Sequence, residues 1–301
     1  MDKKIKSVER YITTYSRVNI YDDTVVEKKR QVSYLEMDKF GNMIADKTFD
    51  SEGNIENCIK RTYNEKNKVT EELFYDNFSD EPYEIRQYLY DDKDILTNSK
   101  IKYAEDEIEE QYLYSSEGHL LQKIVVDADG YSYTEKEYEW EGNRTIKITE
   151  NEEDEPISIQ KMTYNEQGQL VQYEIAELQS KDNRTEKYEY DGDKLVKQQN
   201  FNYKGDLMTT TETKYEGNLV VEKTVESDSQ FLKYCYKYDE KGNKIQESIL
   251  NHEDTVLTDY ITVYDADGLE LHTKTYSLSI IDNDKDLILI ELNESEYTYF
   301  D

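Results

Sequence analysis

A short string recurs along the chain: two aromatics at alternate positions, then Asp or Asn, two or three polar residues, Gly, one polar residue and an aliphatic. It reads YEYDGDKL from Tyr188, YKYDEKGNKI from Tyr236, MTYNEQGQL from Met162 and YLYSSEGHL from Tyr112. Looser copies are YLYDDKDIL from Tyr88, YEWEGNR from Tyr138, KYEGNLV from Lys214, FNYKGDL from Phe201, VYDADGLEL from Val263 and TFDSEGNI from Thr48. Self-similarity at a fixed period constrains a fold more than composition does, because each unit must bury its apolar face against a copy of itself. Between these strings lies a second, acidic set of breakers: DADG from Asp127, NEEDEP from Asn151, NHED from Asn251 and NDKD from Asn283. The two sets alternate at about 12 to 14 residues per step, which holds one strand and one turn and leaves no room for a helix with its loops.

Within a step the aromatics keep period two. Tyr188 and Tyr190 flank Glu189, Tyr234, Tyr236 and Tyr238 flank Cys235 and Lys237, and Tyr131 and Tyr133 flank Ser132. Such alternation marks a strand with one covered face. Asx followed by Gly supplies the left-handed residue that a tight hairpin needs, with the Asx side chain bonding its own backbone. The prolines Pro82 and Pro156 both close a DEP turn, and the same offset carries Ile85, Tyr90 and Leu96 onto Ile159, Tyr164 and Leu170. The expected fold is all-β: a long antiparallel meander of about twenty strands, built from tandem hairpin repeats of roughly 25 residues and curled into a shell-like or layered sheet. One repetitive β domain spans residues 1–301, with clear repeats over about 40–271 and less regular caps at 1–39 and 272–301.

Composition alone points elsewhere. A formal charge of -31 and a mean hydropathy of -0.98 lie near the disordered range, but 29 tyrosines in register argue for a packed chain. The acidity opposes binding to nucleic-acid phosphates and to anionic membranes, and favours a protein partner, above all a basic one. No apolar run of signal-peptide or membrane-span length occurs, so the chain is expected to be cytoplasmic. Cys58 and Cys235 lie far apart and form no CxxC, which fits unpaired thiols in a reducing compartment.

The strings from Tyr188 and Tyr236 resemble the YD repeats of the Rhs and teneurin families, whose pattern is close to YxYDxxGxL. The resemblance spans about Phe40 to Leu271 and implies β-sheet that spirals into a hollow shell, which in bacterial Rhs proteins encloses a toxin. It does not extend to an arginine-rich, DPxG-like segment or to a toxin-like domain after the last repeat. A weaker resemblance, carried by YKYDEKGNKIQES, is to bacterial MORN-type repeats of antitoxin-like proteins.

Chemistry-bearing constellations are sparse. His119, His252 and His272 have no metal-ligand spacing, and no HExxH, GxSxG, Walker or GxGxxG string occurs. The two DADG turns at Asp127 and Asp265 could in principle hold calcium, but an EF-hand loop needs further ligands and a downstream Glu, so Asx turns are the expectation. No catalytic residue, cofactor or metal is expected. The candidate partner-binding surface is an aromatic face made of Tyr112, Tyr114, Tyr138, Trp140, Tyr188, Tyr190, Tyr234, Tyr236 and Tyr238. The expected role is a non-enzymatic protein-binding scaffold, in sharper form an immunity or chaperone-like partner of a secreted toxin. The alternatives are a shell component of a secretion or injection apparatus and, third, a glycan-binding or carbohydrate-active protein.

Overall fold

The computed structural model describes residues 4–19, 22–76, 79–103, 106–180, 182–279 and 286–301. The turn read from Asn283 lies outside them, and of residues 18–23 no side chain is described. The described chain is built of 22 strands, from β1 (Ile5–Asn19) and β2 (Asp22–Met37) to β21 (Glu270–Leu278) and β22 (Leu287–Tyr299). Each strand pairs antiparallel with its neighbours in sequence, and β22 pairs in turn with β1, with Val8 opposite Tyr297 and Ile12 opposite Asn293. The sheet is therefore a closed β-barrel, which decides between the shell-like and layered arrangements.

Closure satisfies the backbone groups that an open meander would leave unpaired at its two edges. Twenty-two strands about 4.8 Å apart and tilted about 40° give a backbone circumference of roughly 140 Å. Among the described residues, no strands other than sheet neighbours approach within 8 Å between Cα atoms, apart from β20 (Val256–Tyr264) and β22. The accessible surface of 19775 Å² compares with about 13,000 Å² for a compact chain of this mass. Both faces of the sheet are thus wetted, and the buried apolar residues (Val8, Ala45, Cys58, Ile101, Val125, Ile175) are scattered around the wall instead of gathered in one core.

The even-to-odd turns form one rim and the odd-to-even turns the other. At the first rim each hairpin closes on the repeated string. In Asp239–Asn243 the Asp239 carboxylate accepts the Lys241 and Asn243 backbone N–H groups at 2.9 and 2.8 Å, and Gly242 takes the left-handed conformation at φ 85°. Asn67 and Asp94 fill the glycine position of sister turns, as Asx residues tolerate it best. Where the Asx residue is Asp its oxygen is a charge-assisted acceptor, and the Asp50 and Asp239 carboxyls lie below the usual aspartate value because Asn54 and Asn243 donate to them.

The division of turns into two alternating sets does not follow the rims. The strings from Thr48 and Phe201 close turns on the second rim, between β3 (Met43–Phe49) and β4 (Ile55–Tyr63) and between β15 (Lys194–Phe201) and β16 (Leu207–Glu216). Conversely, the DADG turn at Asp127 and the NHED turn at Asn251 use the same Asx geometry as the first set. Local turn chemistry is common to both rims, and the strand count between turns decides the rim. Pro82 and Pro156 do share the second rim three hairpins apart, and Tyr90 opposite Leu96 is matched by Tyr164 opposite Leu170.

Candidate functional site: the tyrosine face and the acidic rim

Directly opposed pairs carry one face around the wall. Tyr112 lies opposite Lys123, Val125 opposite Tyr133, Tyr138 opposite Ile148, and Ile148 opposite Gln160. Met162 then opposes Tyr173, Tyr173 opposes Glu186, Tyr188 opposes Gln198, Gln198 opposes Thr211, Thr213 opposes Lys223, and Lys223 opposes Tyr234. A bulge at Thr134–Lys136 takes up the one residue that would otherwise flip the parity. Tyr112, Tyr114, Tyr138, Trp140, Tyr188, Tyr190, Tyr234, Tyr236 and Tyr238 therefore share one face, and all are half-buried. Cys235 projects from the opposite face, as does Cys58 on β4, and both thiols are free.

The face has two tiers. At the first rim the turn-proximal ring of each repeat donates to a main-chain carbonyl at the start of the preceding strand. Tyr63 bonds Met43, Tyr90 Val69, Tyr114 Leu96, Tyr164 Thr145 and Tyr190 Leu170, at 2.7–3.0 Å. Tyr215 to Leu195, Tyr238 to Val220, Tyr264 to Lys244 and Tyr297 to Glu270 continue the row at 2.7–3.1 Å. Trp140 takes the same place, with its indole N–H on the Leu120 carbonyl at 2.7 Å. Its ring stacks on His119 at 4.7 Å, and the far nitrogen of His119 meets Asn143 in the next turn at 3.1 Å. The turn-proximal aromatic is thus a clasp between one hairpin and the last. Tyr190→Phe is expected to lower unfolding free energy by about 1 kcal/mol, the net worth of one such bond, read from the denaturant midpoint at constant slope; no change would remove the clasp.

The second tier, nearer mid-strand, is polar. Tyr112 donates to Glu110 at 2.8 Å, Ser99 donates to the same carboxylate at 2.6 Å, and Lys123 bridges Glu110 and Glu135 at 2.6 and 2.7 Å. Tyr88 donates to Glu72, which also pairs with Arg61, and Tyr188 donates to Glu186. Burial and these carboxylates push the Tyr88 and Tyr188 hydroxyls well above the usual phenol value. Burial also raises Tyr236, to about 12, with Glu247 and the flanking tyrosines adding to it. The hydroxyls are neutral donors at any ordinary pH, and the charges beside them are spoken for.

The second rim differs. Its described turns carry Asp50, Asp80, Asp127, Glu153, Asp154, Asp228, Glu253 and further acids, with Lys204 as the only described lysine or arginine among them. The first rim mixes signs: Lys66 pairs with Asp94 at 2.8 Å and Lys241 donates to the Ala266 carbonyl at 2.6 Å. Among the acids of the second rim stand exposed rings and aliphatics: Tyr83 (46% exposed), Tyr131 (52%), Tyr203 (60%), Leu178 and Met208. Tyr131 precedes β10 (Ser132–Glu141) and does not alternate within it, so the period-two reading of Tyr131 and Tyr133 is corrected: their rings stack at 6.4 Å with Tyr131 in the turn. These rim residues were absent from the aromatic face read in the sequence, because a tyrosine inside a turn carries no period.

Among the described residues no three His, Cys, Asp or Glu side chains are grouped to hold a metal. The DADG carboxylates at Asp127 and Asp265 are occupied by their own turns, the latter accepting from Asp267 and Leu269 at 2.8 Å. His252 is exposed beside Glu253, and His272 lies on β21 opposite Val263.

No protein-family model and no curated protein matches the sequence. Among solved structures, a porin-like protein from Bacteroides uniformis is 8% identical, with 98% of each chain covered and a TM-score of 0.36. TcdB2-TccC3 without its hypervariable C-terminal region is 10% identical, covering 91% of this chain and 20% of that one, at a TM-score of 0.24. A protein of unknown function from Bacteroides fragilis is 20% identical over 47% of this chain and 91% of its own, at a TM-score of 0.18. Likeness at this level is one of strand-rich architecture and carries no residue roles.

Proposed function

We propose that the barrel is a non-enzymatic scaffold that binds a protein partner, and that the partner is basic and docks on the second rim. The observation that carries this reading is the coincidence on one rim of acidic turns, in which Lys204 is the only described lysine or arginine, with exposed Tyr83, Tyr131, Tyr203, Leu178 and Met208. Exposed tyrosines supply contact area at low entropic cost, and a one-signed field accelerates encounter with a cationic surface. The aromatic face read in the sequence serves the wall instead, since most of its ring donors bond to their own chain. A cytoplasmic location fits this reading. A lipid-facing barrel would need one uninterrupted apolar band, whereas the face opposite the tyrosines carries Glu139, Lys161, Lys187, Glu189, Glu212 and Lys214.

The sharper form is an immunity or chaperone-like partner of a secreted toxin. The test starts from the neighbouring genes, one of which is expected to encode a small basic protein, and proceeds by co-expression of the two and co-purification at moderate salt. A complex that dissociates as salt is raised, and that is lost when Tyr83, Tyr131 and Tyr203 become Ser, supports the reading. No complex at any salt, or one indifferent to the triple substitution, contradicts it.

A further inference from the structure

On the tyrosine face the cations are paired almost throughout: Arg61 with Glu72, Arg86 with Glu84, Lys123 with Glu110 and Glu135, Lys136 with Glu150, and Lys244 with Glu247. Arg184, exposed near the second rim opposite Ile175, has no carboxylate partner among the described residues, and neither has Lys223. The Lys223 ammonium lies over the Tyr234 ring, 6.0 Å from its centroid. Lys223 lines a groove of about 360 Å³ over β15–β19, where β19 is Lys244–Leu250, together with Thr211, Thr213, Tyr236, Gln198 and Lys244, the last already paired with Glu247. Thr213 stands directly opposite Lys223, and Tyr236 is two residues along from Tyr234, the partner of Lys223 on its other side. At Tyr88, Tyr112 and Tyr188 the mid-strand hydroxyl is tied to a carboxylate. The Tyr236, Thr211 and Thr213 hydroxyls have no hydrogen-bond partner within the described chain. The Gln198 amide is already given to Glu186 and Asn200.

We infer that this groove binds a small hydroxylated carboxylate of the hexuronate class, with the carboxylate on Lys223 and the sugar hydroxyls on Thr211, Thr213 and Tyr236. An unpaired ammonium in a chain of charge -31 has ample acids to choose from, yet no carboxylate is among the residues that line this groove, and the nearest one, Glu247 opposite Tyr236, is taken by Lys244. One free cation balances a monoanion. A phosphate dianion would leave excess negative charge in an already negative wall, which disfavours it. Hydroxyls that both donate and accept match vicinal diols, and the ring faces of Tyr234 and Tyr236 are covered by Lys223 and Lys244, so binding is by hydrogen bonds and charge and not by stacking. The inference stands apart from the docking rim, which lies at the other end of these strands.

Sodium glucuronate, glucose and sodium acetate are titrated at constant ionic strength into the full chain, with the amide resonances of Thr211, Thr213 and Lys223 as readout. Saturable shifts with glucuronate are expected, with a dissociation constant tighter than about 10 mM, weaker binding of acetate and none of glucose. Lys223→Met is expected to weaken glucuronate at least about tenfold, the worth of one charge-assisted bond, and Thr213→Val to weaken it less while keeping the native circular dichroism. No saturable shift with glucuronate, equal response to glucose, or binding untouched in both variants would overturn the site. Equal affinity for acetate and glucuronate would overturn the hydroxyl half of the assignment.

Discussion

A chain that stops at Leu278 is expected to lose its cooperative unfolding transition and to aggregate. The missing strand, β22, pairs along both of its edges, with β21 from His272 to Leu278 and with β1 from Ile5 to Thr14. Its removal would strip hydrogen bonds from two strands at once. At about 1 kcal/mol for each ladder bond, the loss rivals the 5–15 kcal/mol by which an ordinary domain is stable. It would also expose the long β1 edge as a template for association. Light scattering and thermal unfolding by circular dichroism read both effects. An unchanged midpoint and an unchanged particle size would mean that the barrel does not depend on its seam.

The second large effect lies at Lys123. Its ammonium is mostly covered, sits between Glu110 and Glu135, and is held above the usual lysine value: burial opposes the charge, but the two carboxylates outweigh it. Burial also raises Glu110, yet the bonds from Lys123, Ser99 and Tyr112 outweigh that and leave its carboxyl below the usual glutamate value. A depressed carboxyl contributes stability above its unfolded value, and loses it as pH falls through the folded one. The native protein is therefore expected to weaken on acidification through and below the glutamate range. Lys123→Met leaves two carboxylates facing each other without a cation, at a cost of about 2–3 kcal/mol near neutral pH after discount for partial exposure. Protonation then relieves the repulsion, so this variant is expected to gain stability relative to the native chain as pH falls from 7 toward 4. Parallel pH profiles in urea unfolding would contradict the charge network as described.

The meander was legible because its signals are local. Tyr188-Glu-Tyr190 and its copies fix strand and face through side-chain alternation, and Asp239 with Gly242 fixes the turn. What local signals cannot carry is the partner of the outermost strands. Nothing in Ile5–Asn19 or Leu287–Tyr299 repeats the YD string, so the choice between layered sheet and closed wall rests on pairings such as Val8 with Tyr297, which join the two ends of the chain. The rims were legible only in part. Asp50 and Asn202 use the same turn chemistry as Asp38 and Asp239 but face the other way, because rim is a matter of strand parity. The alternation that puts these rings on one side of the wall is local, while the bonds from Tyr114, Trp140, Tyr190 and Tyr238 to main-chain carbonyls are not: they join strings about one repeat apart through atoms that every residue possesses. Tyr83 and Tyr203 were missed because a turn has no period to betray an exposed ring, and Tyr131, read as alternating with Tyr133, lies in the turn before β10.

Closure is the central claim, and a distance across the seam tests it most directly. With Cys58→Ala and Cys235→Ser removing the native thiols, spin labels at Arg10→Cys and Ser295→Cys mark residues that stand directly opposite on β1 and β22. Double electron–electron resonance is expected to give one narrow distance at the short end of its range, below about 20 Å, because both label arms project from the same face across a strand spacing of about 4.8 Å. An open ribbon of the same strands would separate the labels by roughly 100 Å. A distribution lying wholly beyond about 50 Å would contradict the barrel.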